Sequence, residues 1–477
     1  MLQAFALTLP LAGCLLNGDK PEPGLDIPQA YTRGPKNARS AEAAMPPLDW
    51  WRLFRSRELT DVMEAAREAN LDIAAAVARI VQADAQARIA GAALLPTVDL
   101  GASATRLRSS RTTVIGGTPG TPGGSERNLL STSLTASYEL DFWGKHSATL
   151  RAAEEVAVAS RFDREVVALG TLATTANAYF QVLAAQDRLR VQRNNYKSAN
   201  HVLDLIKQRF NAGTASQLDV AQQQSLVDTV RAALPVLEQV LWQNKVALAL
   251  LMARPPERVS IRGGSLDRIA VPRVTPGLPS ELLTQRPDIR EAEARLAAAS
   301  ANVENARAQF LPSIVLTGEG GYQSAVLKTL LEPQSAFYTL TAGLTQPIFQ
   351  GGALLGNLDL QKGVQDEMLQ DYRKAVLQGF SDVETALDAV RQTALREQLQ
   401  RAVVKSSRQA FDISEQRLRE GTIDLVTVLQ TQQTLFSAED LLVQARLARM
   451  QAIVSLYQAL GGGWLPKPPQ VEAADAR

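Results

Sequence analysis

From Thr97 the chain alternates between polar and apolar positions. Val98, Leu100, Ala102 and Ala104 are apolar, and Thr97, Asp99, Ser103 and Thr105 between them are polar. A cleaner run follows, with Leu130, Leu134, Ala136, Tyr138, Leu140 and Phe142 set against Ser131, Ser133, Thr135, Ser137, Glu139 and Asp141. Later, Ile314, Leu316 and Tyr322 alternate with Ser313, Thr317 and Glu319, and Tyr338, Leu340, Ala342 and Leu344 with Thr339, Thr341, Gly343 and Thr345. Period two predicts strands with one greasy and one wet face, at about 96–108, 129–142, 312–323 and 336–348. Each run is about ten residues, the length of a tilted strand crossing a bilayer. A soluble sheet with one face on a core would alternate in the same way. Two features favour the membrane. The wet face carries Ser, Thr and Gly rather than Lys and Glu. Tyr138, Phe142, Trp143 and Phe349 gather at one end, as an interfacial girdle requires. Leu134, Ala136, Tyr138, Leu340 and Leu344 are expected to face lipid, and Thr135, Ser137, Thr341 and Thr345 a lumen. Four strands cannot close a barrel, since the smallest ordinary one has about eight. Each backbone group left unpaired in lipid costs several kcal/mol. Strands in a membrane therefore imply a barrel shared between chains.

Between the strand pairs lie long stretches almost free of helix breakers. Residues 151–210 hold Gly170 and no Pro, and residues 365–420 hold Gly379 and no Pro. Sixty helical residues span roughly 90 Å. Each stretch stops at a Gly-Thr, Gly213-Thr214 or Gly421-Thr422, and a second helix runs back from it. The predicted helices are 61–94, 150–212 and 215–253, then 286–310, 352–420 and 423–460. The two sets are copies. Asp72-Ile73, Ala78-Arg79 and Leu95-Pro96 return 216 residues on as Asp288-Ile289, Ala294-Arg295 and Leu311-Pro312. Arg209, Gly213-Thr214, Val220 and Gln222 return 208 residues on as Arg417, Gly421-Thr422, Val428 and Gln430. Copies this long are duplicated halves rather than solenoid repeats. The helix surfaces mix Ala, Gln, Ser and Thr with Leu and Val, which suits close packing with one face toward water. A structural coiled coil would explain these helices, though not the alternating strands.

The apolar stretch from Ala4 ends in Leu11-Ala12-Gly13-Cys14, the pattern a lipoprotein signal peptidase reads. Cys14, the sole Cys, is expected to become the acylated amino terminus. No Lys or Arg precedes the apolar run, which points to a true start a few residues upstream. Leu15, and not Asp, comes directly after Cys14. No segment has about twenty unbroken apolar residues, so no transmembrane helix is expected. A net charge of +1, from 50 basic and 49 acidic residues, offers no field for nucleic acid. His146 and His201 stand outside any metal-ligand spacing. Nucleophile-elbow, phosphate-loop and dinucleotide motifs are lacking, and the carboxylate pairs lie on long helices as solvated faces. The reading is not an enzyme, with no cofactor and no metal. A barrel lipase would lack its nucleophile and base.

These residues resemble the outer-membrane efflux protein family, the TolC/OprM-like ducts, and their lipoprotein branch most of all. The run Pro276-Gly277-Leu278-Pro279-Ser280-Glu281-Leu282-Leu283, followed by Arg286-Pro287-Asp288-Ile289-Arg290-Glu291-Ala292-Glu293, is similar to the join between the family's halves. Tyr138 to Gly144 and Gln346-Pro347-Ile348-Phe349 resemble the places where its strands leave the membrane. Trp50-Trp51, Phe54, Leu59 and Ala459-Leu460-Gly461-Gly462-Gly463-Trp464 resemble its terminal motifs. The resemblance implies an α+β membrane protein and a homotrimer. Three chains would build a twelve-stranded outer-membrane β-barrel continued by a long periplasmic α-helical barrel. It also implies passive exit of drugs or other small molecules, a periplasmic adaptor and an inner-membrane RND-type transporter. A type I protein-secretion duct and a lipid-anchored coiled coil without conduction are the alternatives. The chain would divide into a signal peptide (1–13), an extended periplasmic segment (14–60), a first repeat (61–253), a linker (254–285), a second repeat (286–460) and a tail (461–477). Adaptors would dock at Gly213, Thr214, Gly421 and Thr422. Family members close the tip with acidic rings, and the matching positions here are Thr427 and Gln430. Closure is therefore expected from Asp424, from Asp219 and from Leu425 and Val426.

Overall fold

The computed structural model describes residues 24–25, 28, 31–32, 46–108, 126–274 and 281–464. Cys14, the signal peptide, residues 112–125 of the first strand loop, Pro276–Ser280 of the join and the tail beyond Trp464 lie outside them. The helices are α1 (Arg57–Ala69), α2 (Leu71–Ala92), α3 (Lys145–Asn211), α4 (Gln217–Leu251), α5 (Pro287–Ala308), α6 (Ala353–Arg419) and α7 (Leu425–Ala459). The strands are β1 (Thr97–Arg108), β2 (Glu126–Leu140), β3 (Ser313–Ser324) and β4 (Ala336–Thr345). The duplication is visible in the lengths. α2 and α5 have 22 residues each, α3 and α6 have 67, α4 and α7 have 35, and β1 and β3 have 12.

The chain forms two compact units. In the first, residues 81–159 and 293–371, the strands pair antiparallel in the order β1-β2-β3-β4. Two hairpins supply them, and β2 joins β3 in the middle.

The second unit, residues 24–80, 160–292 and 372–477, is helical. Its core gathers Trp50, Trp51, Phe54, Leu59, Tyr179, Phe180 and Tyr457. Trp50 is 2% exposed and stacks on Tyr457 with ring centroids 5.0 Å apart. The amino-terminal motif thus builds a core, while Ala459 and Leu460 of the carboxyl-terminal motif pack in a separate cluster with Leu282 and Val383. Helix α3 contains a stretch long and apolar enough to span a membrane, contrary to the expectation that no segment would be. That stretch is 56% buried within the chain. It is a core helix by that measure, with Leu172, Tyr179, Phe180 and Leu183 in the aromatic cluster.

The predicted helix 61–94 is two helices. Asn70 leaves the helical conformation, and its Oδ1 accepts from the amides of Asp72 at 2.9 Å and Ile73 at 3.2 Å. It is thus the N-cap of α2. Its Nδ2 donates to the Leu251 carbonyl at 2.9 Å, so the break is held by a distant helix end. The second copy breaks at the matching Arg286, which donates to the Ala459 carbonyl at 3.1 Å and pairs with Asp288 and Asp382. The chain after α7 turns at Gly461 (φ +73°), where a Cβ would collide with the Gln285 backbone. Strand bounds also shift. β2 begins earlier than expected, and β2 and β4 end before Phe142 and Ile348.

Candidate functional site

The sheet sorts its side chains by face. Register places Leu100, Leu134, Gly320 and Tyr338 in one cross-strand row, and Val98, Ala136, Gly318 and Leu340 in another. Paired residues share a face, so the greasy positions of all four strands form one continuous apolar surface. It is open in the single chain. Leu134 is 52% exposed, Leu340 80% and Tyr338 82%. Thr97, Ser137, Thr317 and Thr341 form a row of the other face, as do Asp99, Thr135, Glu319 and Thr339. The apolar face ends in charge, where Glu126 pairs with Arg106 at 2.7 Å and with Arg108 at 3.5 Å. From the row of Leu140 to that of Leu130 is about 33 Å along the strand, or about 25 Å once tilted. That is the height of an outer-membrane apolar band.

Of the expected girdle, Tyr138 lies on the apolar face in a row with Leu316 and Ala342. Phe142 is 68% exposed and Phe349 88%. Trp143 is tied down, its Nε1 donating to the Pro312 carbonyl at 2.8 Å. Tyr322, in the row of Thr132 and Ala336, is a further aromatic nearer the charged end of the same face, and Tyr338 shares the row of Leu134 in the middle of the band. Among the described residues, the outer edges of β1 and β4 have no strand partner.

The other site is in the helical unit, where each long helix turns back. Gly213 (φ +76°) and Gly421 (φ +74°) take the left-handed conformation that favours Gly. The amides of Gly213 and Thr214 return to the carbonyls of Phe210 at 2.9 Å and Arg209 at 2.8 Å. Those of Gly421 and Thr422 return to Leu418 at 3.1 Å and Arg417 at 2.9 Å. These are Schellman ends. Each Thr adds a hydroxyl bond to the same arginine carbonyl, at 3.1 and 3.2 Å. Gly-Thr recurs because both residues are needed to finish the helix.

The returning helices start with exchanged chemistry. On α4 the N-cap is Ser216, and Asp219 accepts from its amide at 2.7 Å while Ser216 Oγ accepts from the Asp219 amide. On α7 the N-cap is Asp424, which accepts from the amide of Thr427 at 2.9 Å and from its hydroxyl at 2.7 Å. Those two bonds, the hydroxyl one foremost, hold the Asp424 carboxyl below the usual range. Both expected gate acids are therefore helix caps. Leu425 does not fit the expected aperture contact: it is 4% exposed, packed with Val202, Ile206, Leu418, Val428 and Leu435. Val426, on the next face, is 58% exposed, and Gln430 is exposed while Thr427 is half-buried. The sequence reading missed Leu218, 64% exposed and 208 residues before Val426. The repeat offset was the signal that could have found it.

Glu397, 4% exposed as a side chain, meets Arg401, Arg446 and Arg449. Burial pushes its carboxyl up, but the arginines outweigh it and the net shift is down. Among the described residues, no group of three or more His, Cys, Asp or Glu side chains is placed to hold a metal ion.

An open sheet with one lipid-like face, on a duplicated chain with paired helical hairpins, defines a class: subunits of a channel whose barrel is shared between copies. The sequence profile described as outer membrane efflux protein matches residues 62–254 and 278–462. The pyoverdine export outer membrane protein OpmQ of Pseudomonas putida is 41% identical over 470 residues, 97% of this chain and 98% of that protein. The toluene efflux pump outer membrane protein TtgF of Pseudomonas putida is 32% identical over 469 residues, 97% of this chain and 96% of that one. The solved outer-membrane channel OprN superimposes with a TM-score of 0.87 at 25% identity, covering 94% of this chain and 99% of that one. The Campylobacter jejuni CmeC channel gives 0.85, at 25% identity and 95% of each chain. The chain belongs to the outer membrane efflux protein family. Family members are efflux channels, and this chain is an outer-membrane protein with a large periplasmic part.

Proposed function

We propose that this protein is the outer-membrane exit duct of a tripartite efflux pump. The observation that carries the reading is the four-stranded sheet with one apolar face and two edges open among the described residues, which lipid tolerates only in a closed barrel. The duct is a homotrimer that works with a periplasmic adaptor and an inner-membrane RND transporter. Three sheets give twelve strands. Passage is passive: the chain conducts and does not catalyse, and it uses no cofactor. The Gly-Thr turns at 213–214 and 421–422 are the adaptor-docking tips. The aperture is lined by Val426 and Leu218, with Asp424, Asp219, Thr427 and Gln430 around it; the exposure of the two apolar side chains supports this. Tyr138, Phe142, Trp143 and Phe349 mark the periplasmic edge of the bilayer. Cys14 carries the lipid anchor, supported by the lipobox alone. For cargo, the 41% identity to OpmQ favours a pyoverdine-type siderophore over a solvent such as toluene. Purified protein should run as a heat-modifiable trimer and conduct in planar bilayers. A monomer without conductance refutes the duct. Deletion that leaves siderophore export intact refutes the cargo alone.

A further inference from the structure

Contacts in this chain are of two kinds, and the duplication separates them. Contacts inside one repeat can occur twice. The Asn70 bond to the Leu251 carbonyl at 2.9 Å recurs as the Arg286 bond to the Ala459 carbonyl at 3.1 Å. Both Gly-Thr ends recur in the same way. A contact from the first repeat to the second is made once per chain. Arg209 makes one, its Nη1 donating to the Leu418 carbonyl in the last turn of α6. A guanidinium there meets the negative end of a helix through a charge-assisted bond. The counterpart of Arg209 is Arg417, and the counterpart of Leu418 is Phe210, each 208 residues away. Neither has its match among the described residues. Arg417 is exposed where Arg209 is half-buried. Phe210 is 40% exposed where Leu418 is 2%. Ile413 is 49% exposed, while its counterpart Leu205 packs on the tip cluster.

We propose that a second copy of this chain completes the set. The Arg417 guanidinium of one copy donates to the Phe210 carbonyl of the next, with Ile413 packed on the turn that carries Phe210. Resting on the homotrimer reading, this makes a ring in which within-chain and between-chain clasps alternate. The between-chain clasps lie in the last turn before Gly213-Thr214.

Two measurements on the full-length protein test this. With Ile413→Cys and Phe210→Cys together, a short bismaleimide should yield covalent dimers and trimers on denaturing gels, and neither substitution alone should. Arg417→Ala should leave the native trimer intact and raise resting conductance at least threefold. A native trimer without the covalent ladder, or Arg417→Ala at parental conductance, overturns the clasp and leaves the homotrimer standing. A protein that runs as a monomer without any substitution overturns both.

Discussion

Leu134→Arg tests the lipid-facing assignment most directly. Leu134 lies six residues from Leu140 and four from Leu130, the two ends of the apolar band on β2. At about 3.3 Å per residue and a tilt near 40°, it sits roughly 15 Å from one edge and roughly 10 Å from the other. That is close to the midplane, where an arginine on the lipid face costs about 2–4 kcal/mol. The homotrimer repeats the change three times. If the three are additive, the cost is about 6–12 kcal/mol, comparable to the whole stability of an ordinary protein. Folded trimer should be nearly absent in heat-modifiability gels and vesicle-insertion assays. Leu130→Arg, at the charged end of the band, should cost only about 0–1 kcal/mol per copy. Ser133→Arg, one residue away on the opposite face and between Gly101 and Gly321 in register, should also be mild. Equal tolerance at Leu134 and Ser133 would refute the assignment and favour a soluble sheet. Equal damage at Leu130 and Leu134 would refute the placement of the band.

At the tip, Asp424→Asn keeps a capping side chain and removes the charge, while Asp424→Ala removes both. If the cap matters more than the charge, single-channel recordings will show raised resting conductance for Ala and not for Asn; the reverse order would revive an acidic gate. Because the folded Asp424 carboxyl titrates below its ordinary value, its contribution is present at neutral pH and is lost as pH falls through that lowered value. Exchange of the Thr427 amide, corrected for its intrinsic pH dependence, should therefore speed up in acid, and less so in Asp424→Asn. Trp50→Ala removes a side chain that is 2% exposed and stacked on Tyr457, at a cost of about 3–5 kcal/mol. Circular dichroism against denaturant will measure it, and a loss below about 1 kcal/mol would mean the aromatic cluster does not hold the helical unit. Cys14→Ala should abolish the acyl mass on the mature protein while trimers persist in detergent; an unmodified Cys14 in the parent would remove the anchor.

Much of the architecture was legible before any coordinates. Alternation is a local property of the pleat, so Leu134, Tyr138, Leu340 and Leu344 could be assigned to one face residue by residue. Gly-Thr was readable as a helix end because few residues tolerate a positive φ. The duplication was written in the spacing of identical pairs, and the matched helix lengths follow from it. The need for several chains came from hydrogen-bond accounting on four strands.

Tertiary structure decided what depends on partners distant in sequence. The break at Asn70 rests on the Leu251 carbonyl, 181 residues away. Asn is a favoured N-cap, but an Asn on a helix surface requires no break, so the local sequence alone does not place one there. Leu425 and Val426 are adjacent apolar residues, and only the packing of α3 and α6 buries the first and exposes the second. Asp219 and Asp424 were expected as gate acids and not as caps, because a cap is defined by where the backbone turns, and that position is set by the hairpin as a whole. The sequence by itself determined the repeating pattern of faces and stops, since these follow from neighbours along the chain. Which of those faces is satisfied within one chain, and which is left for another copy, depended on contacts between the two repeats, because burial is a property of the packed assembly and not of the string.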